Sequence, residues 1–324
     1  MTPLRIATRG SALARAQTEA VAASIVEATG LEVEIVVIQS EGDRITESLS
    51  TLGGTGVFAS ALREALLAGE CDVVVHSLKD LPTQPYPGLR IGAVPMREDP
   101  RDALCARDGL SLDELPPGAK VGTGSPRRMA QLRSVRPDLE IIDIRGNIDT
   151  RLGRVESGEL DAVVLAAAGL SRLGRLEAAS DLFPLDLWPT APGQGALAIE
   201  IREGDSIPEL LSIEHPTTRT AVFAERAVLA ALEAGCAAPV GATAVVDDDE
   251  LELSATVYAP SGAEEIGCSR SAELLGDDAL VASLLGQAVA QQLLEDGAAE
   301  IAPIGTPAQP DSTPSDGVWP GDRP

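Results

Sequence analysis

Lys79 and Asp80 stand side by side after the Val-rich run 72–77 and just before Pro82. A short apolar run bounded by turn residues reads as a buried strand. Proline has no N–H to give to a ladder, so it closes the strand. The pair therefore falls at the carboxyl end of a strand, the edge of an α/β sheet where ligands bind. There an ammonium can hold an anion while a carboxylate manages protons or positive charge; the other reading is a solvated loop pair. Lys79 and Lys120 are the only lysines among 25 Lys and Arg residues, and a compact ammonium is not copied by a guanidinium.

A second pattern is cationic. Between Lys120 and Arg175 lie Arg127, Arg128, Arg133, Arg136, Arg145, Arg151, Arg154, Arg172 and Arg175. Three strand-to-helix junctions carry arginine beside a capping residue: Arg9-Gly10-Ser11, Gly122-Thr123-Gly124-Ser125-Pro126-Arg127-Arg128 and Arg145-Gly146-Asn147. A helix start offers free N–H groups and the positive end of its dipole, and each guanidinium adds a forked donor for carboxylate or phosphate. Ser125 followed by Pro126 is the sharpest helix start. Together the junctions call for a small ligand with several negative groups. A nucleotide is disfavoured, because Gly122-Thr123-Gly124 lacks the phosphate-loop spacing and Arg127 stands where a dinucleotide fingerprint needs glycine. Arg133, Arg136, Arg154 and Arg175 read as ordinary surface charges.

The sulfur and imidazole groups give no metal site. Cys71, Cys105, Cys236 and Cys268 are scattered without a C-x-x-C pair, and His76 and His215 are far apart. Cys71, Cys105 and Cys268 lie in or beside strand-like runs and read as core; the histidines read as structural. Cys236, between Gly235 and Ala237-Ala238-Pro239, leaves two readings open, a small buried apolar residue or a reactive or modified sulfur.

The elements that must position these groups follow from the pattern. A strand at 4–8 leads to a helix capped by Ser11 and ended by Gly30, and a second strand covers 31–38. The polar segment 40–56 reads as a mobile lid or disorder. A helix at 58–68, the central strand and a strand at 91–95 complete the first lobe. Strand-helix alternation restarts at 120–123 and runs through 161–165, giving a second parallel sheet. Residues 196–201 read as a strand returning to the first lobe. Beyond Pro216, capped by Thr217 or Thr218, come a helix, strands at 241–246, 251–258 and 264–268, and a helix at 277–295.

The expected fold is α/β: two doubly wound, mainly parallel lobes and a small α+β C-terminal domain. The expected division is 1–95 with 196–215, then 101–189, then 216–302, and a disordered Pro-rich tail at 303–324. Over 324 residues the chain is 44% hydrophobic but 2% aromatic, so Ala, Val, Leu and Ile must build the core. A formal net charge of -25 argues against nucleic acid or an anionic membrane as partner. No apolar run nears membrane-spanning length and no signal-like leader is present, so a cytoplasmic protein is expected.

Several separated motifs in order resemble the hydroxymethylbilane synthase (porphobilinogen deaminase) family. They are Arg5-Ile6-Ala7-Thr8-Arg9, Val75-His76-Ser77-Leu78-Lys79-Asp80, Arg97-Glu98-Asp99-Pro100-Arg101-Asp102, Arg145-Gly146-Asn147 with Thr150-Arg151, Gly193-Gln194-Gly195-Ala196, and Glu225-Arg226 ahead of Gly235-Cys236. The resemblance spans 4–302.

It implies two lobes like those of periplasmic binding proteins with an active cleft between them, in a monomer. It implies a transferase of tetrapyrrole and heme biosynthesis that joins four porphobilinogens head to tail with loss of ammonia to give hydroxymethylbilane. Cys236 would carry a dipyrromethane cofactor through a thioether. Asp80 would be the catalytic group, stabilising the cation left when ammonia departs. Lys79, Asp80, Ser125, Arg127, Arg128 and Arg145 match cofactor-binding positions. Arg9, Ser11, Arg145, Arg151, Arg172 and Gln194 match positions around substrate or growing chain, and Phe58 would lie over the site. The sequence departs from the family at Thr51, Thr55 and Ser171, where lysine is common, and at Gly124, where serine is. A binding protein for a small carboxylate is the rival from another class; it has no need of Lys79-Asp80 or Cys236.

Overall fold

The computed structural model describes residues 2–38, 57–235 and 238–304, with side chains from Ala59 onward in the second stretch. The 40–56 lid and the tail fall outside these residues.

The first sheet has the order β2 (Val33–Ile38), β1 (Leu4–Arg9), β3 (Val73–Ser77), β10 (Leu197–Arg202) and β4 (Leu89–Ala93). β1 runs parallel to β2 and β3, whereas β10 is antiparallel to both neighbours. Helix α1 (Ala12–Thr29) starts at the Ser11 cap, whose Oγ accepts from the Ala14 N–H, and stops at Gly30, left-handed at φ 69°. Its face bearing Val21, Ala22 and Ile25 packs on Ile6, Val73, Val75 and Ile199. Burying a side chain such as Ile6 or Ile25, neither accessible to solvent, contributes about 1.5–3 kcal/mol. Helix α2 (Val57–Leu67) covers the other face through Leu62 and Leu66.

The second sheet repeats the plan: β7 (Glu140–Asp143), β6 (Lys120–Thr123), β8 (Ala162–Ala166), β5 (Asp102–Ala106) and β9 (Asp181–Leu182). Here β5 is antiparallel to both neighbours. In each sheet the reversed strand is the first one laid down after the chain crosses from the other sheet. Two crossings thus join the sheets, and the strand expected at 196–201 is the returning one. Helices α3 (Pro126–Val135), α4 (Ile148–Glu156) and α5 (Ala167–Arg172) flank this sheet.

The third unit is an antiparallel meander, β11 (Val240–Asp247), β12 (Glu250–Tyr258) and β13 (Glu265–Glu273), under α6 (Pro216–Ala231), α7 (Asp278–Glu295) and the short α8 (Ala298–Ile301). Gly286 lets α7 meet α6 closely, since a Cβ there would sit 2.5 Å from that of Ala227. The expected Thr217 or Thr218 cap on α6 is corrected to His215, whose Nδ1 accepts from the Thr218 N–H at 3.2 Å. Pro216 occupies the first helical position, which puts the cap on the residue just before it. No helix among the described residues is long and apolar enough to cross a membrane.

Candidate active site

β3 delivers its two charged residues through a single 3₁₀ turn, Leu78–Asp80. The turn is fixed from three sides: Leu78 is fully buried, its N–H donates to the Ala196 carbonyl at 3.0 Å, and Arg226 of α6 donates to the carbonyls of Leu78, Leu81 and Pro82 at 3.1, 2.8 and 2.7 Å. Asp80 is left exposed and Lys79 half-buried. Loss of water pushes the Lys79 ammonium down to about 8, with Asp80 opposing the shift. Its Nζ donates to Gln194 Oε1 at 3.3 Å.

The turn faces a cavity of about 920 Å³ between the two sheets. Around it converge Arg9 at the end of β1, Ser11 at the start of α1, Lys79 and Asp80, Arg128 from α3, Arg151 from α4 and Arg172 from α5. Ala12, Leu13, Leu165, Ala166 and Ala168 supply an apolar wall. Burial pushes the Arg151 guanidinium down to about 10, and nearby Arg128 and Arg145 add to it. Arg172, likewise lowered by burial, donates to the Gly195 carbonyl at 2.6 Å. Gly195 has φ 86°, and a Cβ on it would meet the Glu98 carbonyl oxygen at 2.5 Å, so the two crossings approach through a glycine.

Other sequence-selected residues stand behind this lining. Ser125 caps α3, its Oγ accepting from the Arg128 N–H at 3.5 Å. Arg127 is buried and turned away, 2.9 Å from Asp102 and donating to Gln131 Oε1 and the Pro189 carbonyl. Arg145 is half-buried, 3.5 Å from the Asp143 carboxylate. Gln194 is buried between Lys79, Arg128 and Asp102. Cys236 and the side chain of Phe58 lie outside the described residues; the Phe58 backbone is in the first turn of α2. Arg133 and Arg175 are exposed and half-buried Arg154 pairs with Glu159, but Arg136 is half-buried and donates to the Leu112 and Leu115 carbonyls, which corrects its placement on the open surface.

Sequence reasoning missed Gln17 and Ser77, hydrogen-bonded at 2.8 Å on the cavity wall, and Asp102. A carboxylate opening an apolar strand was the available signal for Asp102, since such a group needs buried donors. The His76 imidazole lies 3.1 Å from Glu200, which Arg63 grips at 2.8 Å, a structural use.

Five cations against Asp80 and Asp149 on the wall suit a ligand with several carboxylates. The buried Nε of Arg128 has no hydrogen-bond partner among the described residues. The family model "Porphobilinogen deaminase, dipyromethane cofactor binding domain" matches residues 4–209, and "Porphobilinogen deaminase, C-terminal domain" matches residues 219–295. The chain belongs to the porphobilinogen deaminase family.

A relative named porphobilinogen deaminase from Leifsonia xyli is 61% identical over 311 residues, covering 93% of this chain and 94% of its own. One of the same name from Thermobifida fusca is 53% identical, covering 93% and 96%. Among solved structures the methionine-binding protein MetQ is similar at 13% identity and TM-score 0.42, over 68% of this chain and 92% of that one. The porphobilinogen deaminase cofactor-binding model contains every cavity-lining residue named above. That cavity has donors of the kind a carboxylate-bearing dipyrromethane requires.

Proposed function

We propose that this chain joins four porphobilinogen molecules head to tail, each losing ammonia, and that water then releases the chain from its primer as hydroxymethylbilane for tetrapyrrole biosynthesis. The observation that carries it is the exposed Asp80 carboxylate set among Arg9, Lys79, Arg128, Arg151 and Arg172, which converge from both sheets on one cavity. Porphobilinogen bears an acetate and a propionate, and guanidinium pairs hold such groups in fixed orientation. Asp80 lies where it stabilises the positive charge that develops on substrate as ammonia departs, and it accepts the proton released from the reacting pyrrole.

Lys79, Arg127, Arg128, Ser125 and Arg145 are assigned to the dipyrromethane carboxylates, Arg127 and Ser125 acting by holding α3 and Arg128 in place. Cys236 is assigned as its thioether anchor. When bound, the dipyrromethane supplies the carbon nucleophile from which growth begins. Arg9, Ser11, Arg151 and Arg172 bind incoming substrate and growing chain, Gln194 supports Lys79 and Arg128, and Phe58 is assigned to the substrate on the family resemblance alone. The enzyme works as a cytoplasmic monomer. Intact mass of the active protein tests this: a covalent increment the size of two pyrrole units, lost in Cys236→Ser, is expected. An active protein weighing no more than its polypeptide would overturn it, and a protein that binds carboxylates without turnover would support the rival binding reading.

A further inference from the structure

Asp102 opens β5 and is shut off from solvent. Its Oδ1 accepts from Arg128 Nη2 at 2.6 Å and Gln194 Nε2 at 2.7 Å. Its Oδ2 accepts from Trp188 Nε1 at 2.9 Å and lies 2.9 Å from Arg127 Nη2. Of these donors, only Arg128 reaches the cavity wall. Gln194 turns its other end outward, its Oε1 accepting from Lys79 Nζ and Arg128 Nη2, both at 3.3 Å.

We propose that Asp102 is a positioning residue: it aims the Arg128 guanidinium into the cavity and, through the Gln194 amide, fixes the Lys79 ammonium beside it, presetting two cations for a ligand's carboxylates. The identity of that ligand rests on the function proposed above; the electrostatic linkage does not.

Two buried guanidiniums side by side repel, and each loses hydration; one carboxylate shared between them offsets both effects. Burial works against the charge on Asp102. The Arg127 and Arg128 guanidiniums, with hydrogen bonds from Arg128 and Gln194, nevertheless hold its carboxyl well below the usual range. It is therefore ionised and accepts only. That fixes the Gln194 amide, because Nε2 must face Asp102 and the Pro100 carbonyl, 2.7 Å away, which leaves Oε1 for the two cations. An asparagine at 102 would offer donors to donors and free the amide to flip.

Lys79 is faced by Asp80 from its own turn, by Arg127 and Arg128 from α3, by Asp102 from β5 and by Arg226 from α6, which grips the carbonyls of its turn. Asp80 and Asp102 favour its charge; burial and the two α3 guanidiniums disfavour it. Removing the charge at 102 lowers the Lys79 pKa below about 8.

The test is pH-dependent acylation of the full-length protein with acetic anhydride, read by peptide mass spectrometry. With only two lysines, exposed Lys120 is the internal reference. Wild type should titrate at Lys79 near 8, Asp102→Asn lower, and Asp102→Glu close to wild type. Both variants should raise KM for porphobilinogen by at least about tenfold, the size of one misplaced charge-assisted contact, because Lys79 and Arg128 then no longer hold the dipyrromethane carboxylates clear of the incoming substrate, with kcat changed far less. An Asp102→Asn protein with the wild-type Lys79 midpoint overturns the proposal, whatever its thermal stability. Should Asp102→Asn fail to fold, Asp102→Glu decides: unchanged KM overturns the proposal, and raised KM with an unmoved midpoint supports it. Absence of porphobilinogen turnover in wild type would instead remove the functional assignment and leave the labelling result standing.

Discussion

Arg97 and Glu225 meet in a forked pair, Nη1 to Oε1 at 2.7 Å and Nη2 to Oε2 at 3.1 Å, with Glu225 sealed from solvent. The same carboxylate accepts from the Gly193 N–H at 2.7 Å and the Ala244 N–H at 2.9 Å. One side chain of α6 thus ties both inter-sheet crossings to β11. Glu225→Ala leaves the half-buried Arg97 guanidinium with only its Nε bond to the Gln194 carbonyl and leaves two N–H groups unpaired, and should cost about 3–5 kcal/mol of stability. Urea unfolding would measure it; a loss under about 1 kcal/mol would mean that water replaces the carboxylate.

Asp80→Asn keeps the size of the side chain and removes its charge. Because Asp80 is exposed and its turn is held by Leu78 and Arg226, thermal stability should change little. The rate of ammonia release should fall by about a hundredfold or more, as when a preorganised charge is removed from a reacting centre. A near-normal rate would end the assignment.

Arg151 lines the cavity with its Nε donating to the Gly146 carbonyl at 2.9 Å. Arg151→Ala should raise KM about tenfold through loss of one guanidinium contact. Raising ionic strength should weaken substrate binding in wild type, because screening acts on the same cations. A KM indifferent to salt would show that the charges do not steer the ligand.

Burial holds the Lys79 ammonium down at about 8, well below the ordinary lysine value of 10.5. The cavity should therefore shed one positive charge as pH rises through about 8, leaving the dipyrromethane carboxylates less well compensated, and KM for an anionic substrate bound next to them should rise there. Lys79→Arg, charged throughout, should flatten that limb of the profile. Between about 8 and 10.5 the unfolded chain binds this proton and the folded chain does not, so the group makes stability rise with pH across that window. A KM rise unchanged in Lys79→Arg would assign it to another group.

Local chemistry was legible in the chain itself. The Val-rich run, Pro82 and the Ser11, Ser125 and Asn147 caps mark strand ends and helix starts, because capping and proline act within a few residues. The strand-helix rhythm separated two lobes from the third unit for the same reason, and the order of the motifs gave the family. Which side chains face a cavity depends on pairings across the fold. Arg127 and Arg128 are adjacent and alike in the sequence and share Asp102, yet only Arg128 meets the cavity wall, because Gln131 and the Pro189 carbonyl hold the other guanidinium away from it. His215 replaced the threonines as cap through the geometry of Pro216. Asp102 stands in a family motif, but its role needed the structure, since its donors come from positions 127, 128, 188 and 194, which only the folded chain brings to one carboxylate.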